Sequence, residues 1–239
     1  MGGLVADGTA PGDGWRAQAI ALVRAEAAAG APIDRLCRAA VRGLGLSGAL
    51  TMVATSPATQ LTGSSDQNVA RIAELEFELG EGPSTDATVS RRPVLVPDLS
   101  RATRWPAYAR FAMELGTAGV FALPLHVGAV HLGVLVLASD EVALLDGDRM
   151  AFAFAFAELA TEILLDGDGD GVPPDSTMAA ILDAHSEVYQ AQGMVMVQLG
   201  VSLADALANL RARAFLQSRD LTELARDVLS GRERFERDG

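Results

Sequence analysis

The stretch from Gln190 to Leu229, QAQGMVMVQLGVSLADALANLRARAFLQSRDLTELARDVL, holds three apolar stripes joined by two sets of turn signals. In the first, apolar residues recur at three-four spacing until Gly200, which stops the pattern as a helix C-cap does. Ser202 then offers an oxygen to the free amides of a new first turn, and Asp205 three places on completes a capping box. Leu203, Ala206, Leu207, Leu210 and Ala214 line one side of this second helix. Asp220 and Glu223 repeat the cap, and Leu221, Leu224, Ala225, Val228 and Leu229 form the third stripe. Each helix is too narrow to bury itself, so the three pack on one another or on a partner.

The first of these helices starts further upstream. Asp175 or Ser176, after Pro173-Pro174, caps a helix running to Leu199, with Leu182, His185, Tyr189, Gln192, Met196 and Leu199 at alternating three-four spacing. That spacing is a short coiled-coil seam, in which the polar His185 and Gln192 weaken the contact and fix register. Gln192 thereby has two competing roles, in the seam or on a free face. Before it, residues 166–175 are an acidic Gly/Pro linker. Their alternating Asp and Gly resemble a calcium loop only superficially, since prolines stand where further ligands belong and no bidentate Glu closes the loop.

Residues 14–165 read as a separate α+β domain, and residues 1–13 as a flexible lead. Trp15 to Ala29 is an alanine-rich helical pattern closed by Gly30, and Pro32 opens a second helix carrying Ile33, Leu36, Cys37, Ala40 and Val41. Ala49 to Thr55 is a buried strand with a short companion, Gln60 to Thr62. Asp66 caps a helix over Val69 to Phe77, with Ile72 and Leu75 among its apolar positions. A glycine-proline turn, a short helix near Ser84 to Val89 and the strand Val94 to Val96 come next. After a loop-rich interval, strands Ala118 to Val127 and His131 to Ala138 flank Gly128-Ala129, and Asp146 to Leu165 is a closing helix. Helices at both ends of a sheet of hairpins argue an α+β sensor domain, not a doubly wound nucleotide fold, and no phosphate loop is present.

Two resemblances follow from these residues. Leu79-Gly80-Glu81-Gly82-Pro83 with Asp86-Ala87, Arg92-Pro93-Val94, Asp98-Leu99, Arg104-Trp105-Pro106 and Phe121-Ala122-Leu123-Pro124-Leu125 leading to Gly133-Val134-Leu135 resemble the GAF domain. The C-terminal stretch resembles the ANTAR module, a three-helix RNA-binding unit of bacterial antiterminators. Ala191, Gly193, Met194 and Met196 look like its first-helix core, Ala206, Leu210, Arg211 and Ala214 like its second helix, and Leu221 to Leu229 like its third. The family usually has lysine immediately before that glycine, where this chain has Gln192, so phosphate attraction is lost at that position.

The resemblances imply a GAF-like sensor over residues 14–165 and an ANTAR-like module over 176–239. The output implied is antitermination, by binding a two-hairpin RNA leader, as a homodimer in the cytoplasm. Gln190, Gln192 and Gly193 are the candidates for approaching the RNA loop, and Arg211, Arg213 and Arg219 for phosphate. Trp105, Tyr108 and Phe121 are the candidate pocket residues of the sensor, for a small-molecule or protein ligand that the sequence does not name. Leu182, His185, Tyr189, Met196 and Leu199 form the expected dimer seam.

Charge bears on the nucleic-acid expectation. The chain carries a net charge of −12, but residues 176–239 hold seven arginines and nine acids, so about −10 lies upstream. All 19 basic residues are arginine, and Arg211, Arg213 and Arg219 form an acid-free segment, which is equally the pattern of a solvated helix face. An enzyme is not expected. Cys37 has no second thiol to resolve it, and Ser64, Ser65 and Ser84 lack a motif-linked base. His126 and His131 beside the hairpin turn lack further ligands at useful spacing, so neither a metal nor a cofactor is expected. No apolar run approaches the ~20 residues of a membrane span.

Two other readings compete with RNA binding. Leu221-Thr222-Glu223-Leu224-Ala225 looks like the opening of a DNA-reading helix-turn-helix, though Gly231 leaves too little chain for a recognition helix. The C-terminal bundle is alternatively a dimerisation or protein-docking element appended to a ligand sensor.

Overall fold

The computed structural model describes residues 11–26, 30–55, 58–166 and 185–236. In chain order the elements are α1 (Pro11–Ala25), α2 (Pro32–Leu44), β1 (Gly48–Thr55), β2 (Ala58–Ser64), α3 (Gln67–Leu79), α4 (Pro83–Ser90) and β3 (Val94–Val96). A 3-10 turn (Leu99–Arg101) leads into α5 (Pro106–Glu114), then β4 (Gly119–Val127), β5 (Val130–Ser139) and α6 (Gly147–Leu165). The C-terminal helices are α7 (Ser186–Leu199), α8 (Leu203–Leu216) and α9 (Leu221–Leu229).

The five strands form one antiparallel sheet in the order β2-β1-β5-β4-β3. The two hairpins, β1-β2 and β4-β5, are joined edge to edge by β1 against β5, with Leu50 opposite Val136 and Met52 opposite Val134. Alternation along the strands then divides the core in two. Phe121, Leu123, Leu125, Leu135 and Leu137 point to the face covered by α1, α2 and α6. Leu50, Met52, Val120, Ala122, Val134 and Val136 point to the face covered by α3, α4 and α5. A third core, built on Val188, Val195, Leu210, Leu221, Leu224 and Val228, holds α7, α8 and α9 together.

The local signals act as expected at most helix ends. Asp66, Asp146, Ser202 and Asp220 each accept a backbone amide as N-caps, and Gly45, Gly80 and Gly200 close α2, α3 and α7 in the left-handed conformation. Three expectations require correction. The lead thought to be flexible through residue 13 already contains the start of α1 at Pro11, and α1 ends at Ala25 rather than Ala29. The loop-rich interval before β4 contains α5, opened by Pro106 at its first turn. The companion of β1 is more than twice the expected length, Ala58–Ser64, because it pairs with β1 from Leu50 to Thr55. Residues 167–175 of the linker, the cap at Asp175 or Ser176 and Leu182 lie outside the described residues.

Candidate functional site

The α3 helix lies between the core of the α+β domain and the C-terminal bundle, and two consecutive residues near its end meet different neighbours. Val69, Ile72, Ala73 and Glu76 share the inward stripe of α3, so a carboxylate sits where the pattern calls for an apolar residue. Glu76 is 3% exposed and caps α4. Its oxygens accept from Ser84 N at 3.1 Å, Ser84 Oγ at 2.5 Å and Thr85 N at 3.1 Å. Burial pushes its carboxyl up to about 7, against the opposing pull of the Ser84 and Thr85 donors. Gly82 makes this approach possible, because a Cβ there would overlap the Glu76 side chain. Glu81 performs the same service for α5, accepting from Ala107 N at 3.2 Å and Tyr108 N at 3.3 Å.

The candidate pocket residues divide between the two faces of the sheet. Trp105 and Tyr108 belong to the core under α3 and α5, whereas Phe121 points to the opposite core under α6. The parity of Phe121 on β4 separates it from the other two, so the three do not line one pocket. Tyr108 is completely buried, and its hydroxyl has no hydrogen-bond partner among the described residues. Burial, with the Glu76 charge as a smaller cause, raises the phenol well above its usual range. An open cleft of about 250 Å³ lies at the N-terminal end of α3, lined by residues that include Asn68, Ile72, Leu115, Thr117 and Asp140.

Phe77, the residue after Glu76, is 7% exposed and belongs to the core of α7–α9. His185 lies with its ring centre 3.9 Å from that of Phe77, and Tyr189 meets the same ring edge-on at 6.0 Å. Met196 and Leu199 pack against the same core. These four side chains, expected in a dimer seam, make contacts within the chain. The three-four pattern is real, but it faces α9, α8 and Phe77.

The RNA candidates separate similarly. Gln192 is 2% exposed and donates its Nε2 to the Leu203 carbonyl at 2.7 Å, so it ties α7 to the start of α8 and is corrected to a structural role. Gln190 is exposed, and a Cβ at Gly193 would meet nothing within 4 Å. With Met194 and Val197 they make an outward face of α7 opposite Val188, Ala191 and Val195.

All three arginines expected at phosphate are engaged inside the chain. Arg213 pairs with Glu233 at 2.5 Å and stacks over Phe235 at 4.3 Å. Arg219 pairs with Asp227 at 2.6 Å, an acid it shares with Arg232. Arg211 differs: it donates Nε to the Phe77 carbonyl at 2.7 Å and lies over the Phe77 ring at 5.3 Å. Burial lowers its guanidinium below the usual range. The segment read as free of acids in sequence is thus supplied with acids from further along the chain, at Asp227 and Glu233. Glu76 and Phe77 escaped the sequence reading, although a carboxylate on an apolar stripe was a visible signal for the first.

Elsewhere, Cys37 is buried with Sγ 3.5 Å from Thr51 Oγ1, and burial pushes its thiol up to about 12. His126 and His131 stand opposite each other on β4 and β5. Among the described residues no three His, Cys, Asp or Glu side chains converge as metal ligands, and no single helix is long and apolar enough to cross a membrane.

Residues 33–164 match the family model described as GAF domain. The fold is similar to the GAF domain of a phosphoenolpyruvate-protein phosphotransferase from Coxiella burnetii, with 16% identity and a TM-score of 0.52 over 66% of this chain and 95% of that one. It is also similar to the GAF domain of the corresponding Acinetobacter protein, with 9% identity and a TM-score of 0.51 over 67% and 96%. At such identities the likeness is one of fold. Comparison with curated proteins gave no match.

Proposed function

The chain belongs to the GAF domain family, and from that premise we propose that it is a cytoplasmic transcription regulator whose sensor domain controls hairpin-RNA binding by α7–α9. The C-terminal helices are read as an ANTAR-like module on the residue pattern described above, and the output as antitermination rather than catalysis. The observation that carries the reading is the outward face of α7. Gln190 supplies amide hydrogen bonding, Gly193 leaves the surface flat, and Met194 and Val197 give it an apolar, polarisable floor. A surface of that kind suits the unstacked bases of an RNA loop, which are the readable part of a stem-loop. Signal transfer follows the length of α3: residues near its start, Asn68 and Ile72, line the open cleft, and Phe77 near its end enters the module's core.

A second reading has its own observation. Arg213 and Arg219 are neutralised by Glu233 and Asp227, which favours a bundle that docks a protein over one that binds phosphate. Gel-shift competition decides between them. Whole chain mixed with a labelled two-hairpin RNA, an RNA of the same composition with its stems disrupted, and duplex DNA should retard the first alone. Retardation of none of them leaves protein docking, and preference for duplex DNA makes the module a DNA reader.

A further inference from the structure

Among the described residues, the guanidinium at the junction between α3 and α8 has no carboxylate partner. Among the described residues of the module, Arg213, Arg219, Arg226 and Arg232 each pair with a carboxylate within 4.0 Å. Arg211 has only the Phe77 carbonyl and ring face. A half-buried guanidinium held by a neutral carbonyl has lost part of its hydration without gaining an opposite charge, which leaves it attracted to any anion that can reach it. The fit is nonetheless close: Gly80 has φ +70°, and a Cβ there would lie 2.8 Å from Arg211 Nη1.

The same junction carries a built-in opposition. Glu78, one residue beyond Phe77, has its carboxyl raised by burial first and then by the charges of Asp220 and Glu74, so the end of α3 carries acid against acid. A contact with one aromatic plug and one hydrogen bond, opposed by like charges nearby, is held closed by a small margin.

We propose that Arg211 alternates between two partners, the Phe77 carbonyl of the sensor and a backbone phosphate of hairpin RNA, so that the last turn of α3 is a docking surface for α8 that competes with RNA. This rests on the RNA-binding reading above. In the docked state Arg211 is withheld. RNA binding draws it away, and whatever moves the end of α3 changes the fraction of chain competent to bind.

Two variants of the whole chain move the junction in opposite directions. Phe77→Ala removes the plug. Glu78→Lys replaces repulsion from Asp220 with attraction. Hydrogen exchange of the amides in α8 and the last turn of α3 reports docking without RNA, and fluorescence anisotropy with a labelled two-hairpin RNA reports binding. Phe77→Ala should lose protection and bind RNA about tenfold tighter. Glu78→Lys should gain protection and bind several-fold more weakly, although it adds positive charge near a polyanion. If Phe77→Ala does not fold, Glu78→Lys carries the test alone. Changes in protection with RNA affinity the same in all three chains overturn the exchange while leaving RNA binding intact. Unchanged protection in both variants also overturns it. Absence of RNA binding in every chain, with protection shifting as expected, overturns the RNA reading itself.

Discussion

Arg211 donates its Nε to the carbonyl oxygen of Phe77 at 2.7 Å, across 134 positions of sequence. The residue before Phe77 is the buried carboxylate that holds α4, so one turn of α3 fastens the sensor's inner layer on one side and the helical module on the other. Any displacement of that turn is felt in both.

The protonation of Glu76 should appear as a pH dependence of stability. Its carboxyl is raised from 4.5 to about 7 by burial, so between those values the folded chain binds more protons than the unfolded one. Stability then falls as pH rises, by about 3 kcal/mol across that window, and levels off above it. Urea unfolding of the wild type and of Glu76→Gln from pH 4.5 to 8 measures this. The wild type should lose stability relative to the variant as pH rises, and parallel curves would show that Glu76 does not titrate there.

Gly82→Ala tests the fit between α3 and α4. A Cβ at this position, where φ is +156°, is both strained and in the way of the Glu76 carboxylate. The cost should be about 2 kcal/mol or more, read as a lowered denaturation midpoint. An unchanged midpoint would mean that α4 moves away from α3 at little cost.

Asp227 neutralises two arginines at once. Asp227→Asn should release Arg219 and Arg232, which lie 2.6 Å from its oxygens. RNA affinity should increase and its salt dependence steepen by up to about two phosphate contacts, with helicity by circular dichroism retained. A salt slope equal to that of the wild type would place both guanidinium groups away from the RNA.

The features legible in sequence were those set by near neighbours. Ser202, Asp220 and Gly200 act within a turn of their own position, and each ends or starts a helix as its residue type dictates. The outline of the sheet was legible for the same reason, since alternating apolar runs and turn residues mark strands. The α5 helix was not, because nine residues between Trp105 and Leu115 are too few for periodicity to stand out from a loop rich in Pro and Arg. The burial side of Phe121 depends on the register of β4 against β5, a pairing fact that no single strand contains. Helical spacing shows that Tyr189 and Met196 face something apolar, which was expected to be a second chain, whereas within this chain they pack on the core that includes Phe77. The neutralisation of Arg213 and the capture of Arg211 come from Glu233 and Phe77, one 20 and the other 134 positions away.

The outward face of α7 is tested most directly by Gly193→Glu. A side chain at this position enters open space, so the fold and its melting temperature should be unaffected. In anisotropy titrations of a labelled two-hairpin RNA with the whole chain, a carboxylate on that face would meet the RNA backbone, and affinity should fall about tenfold or more at low salt. Affinity equal to that of the wild type, with the melting temperature also unchanged, would show that RNA does not approach the module through α7.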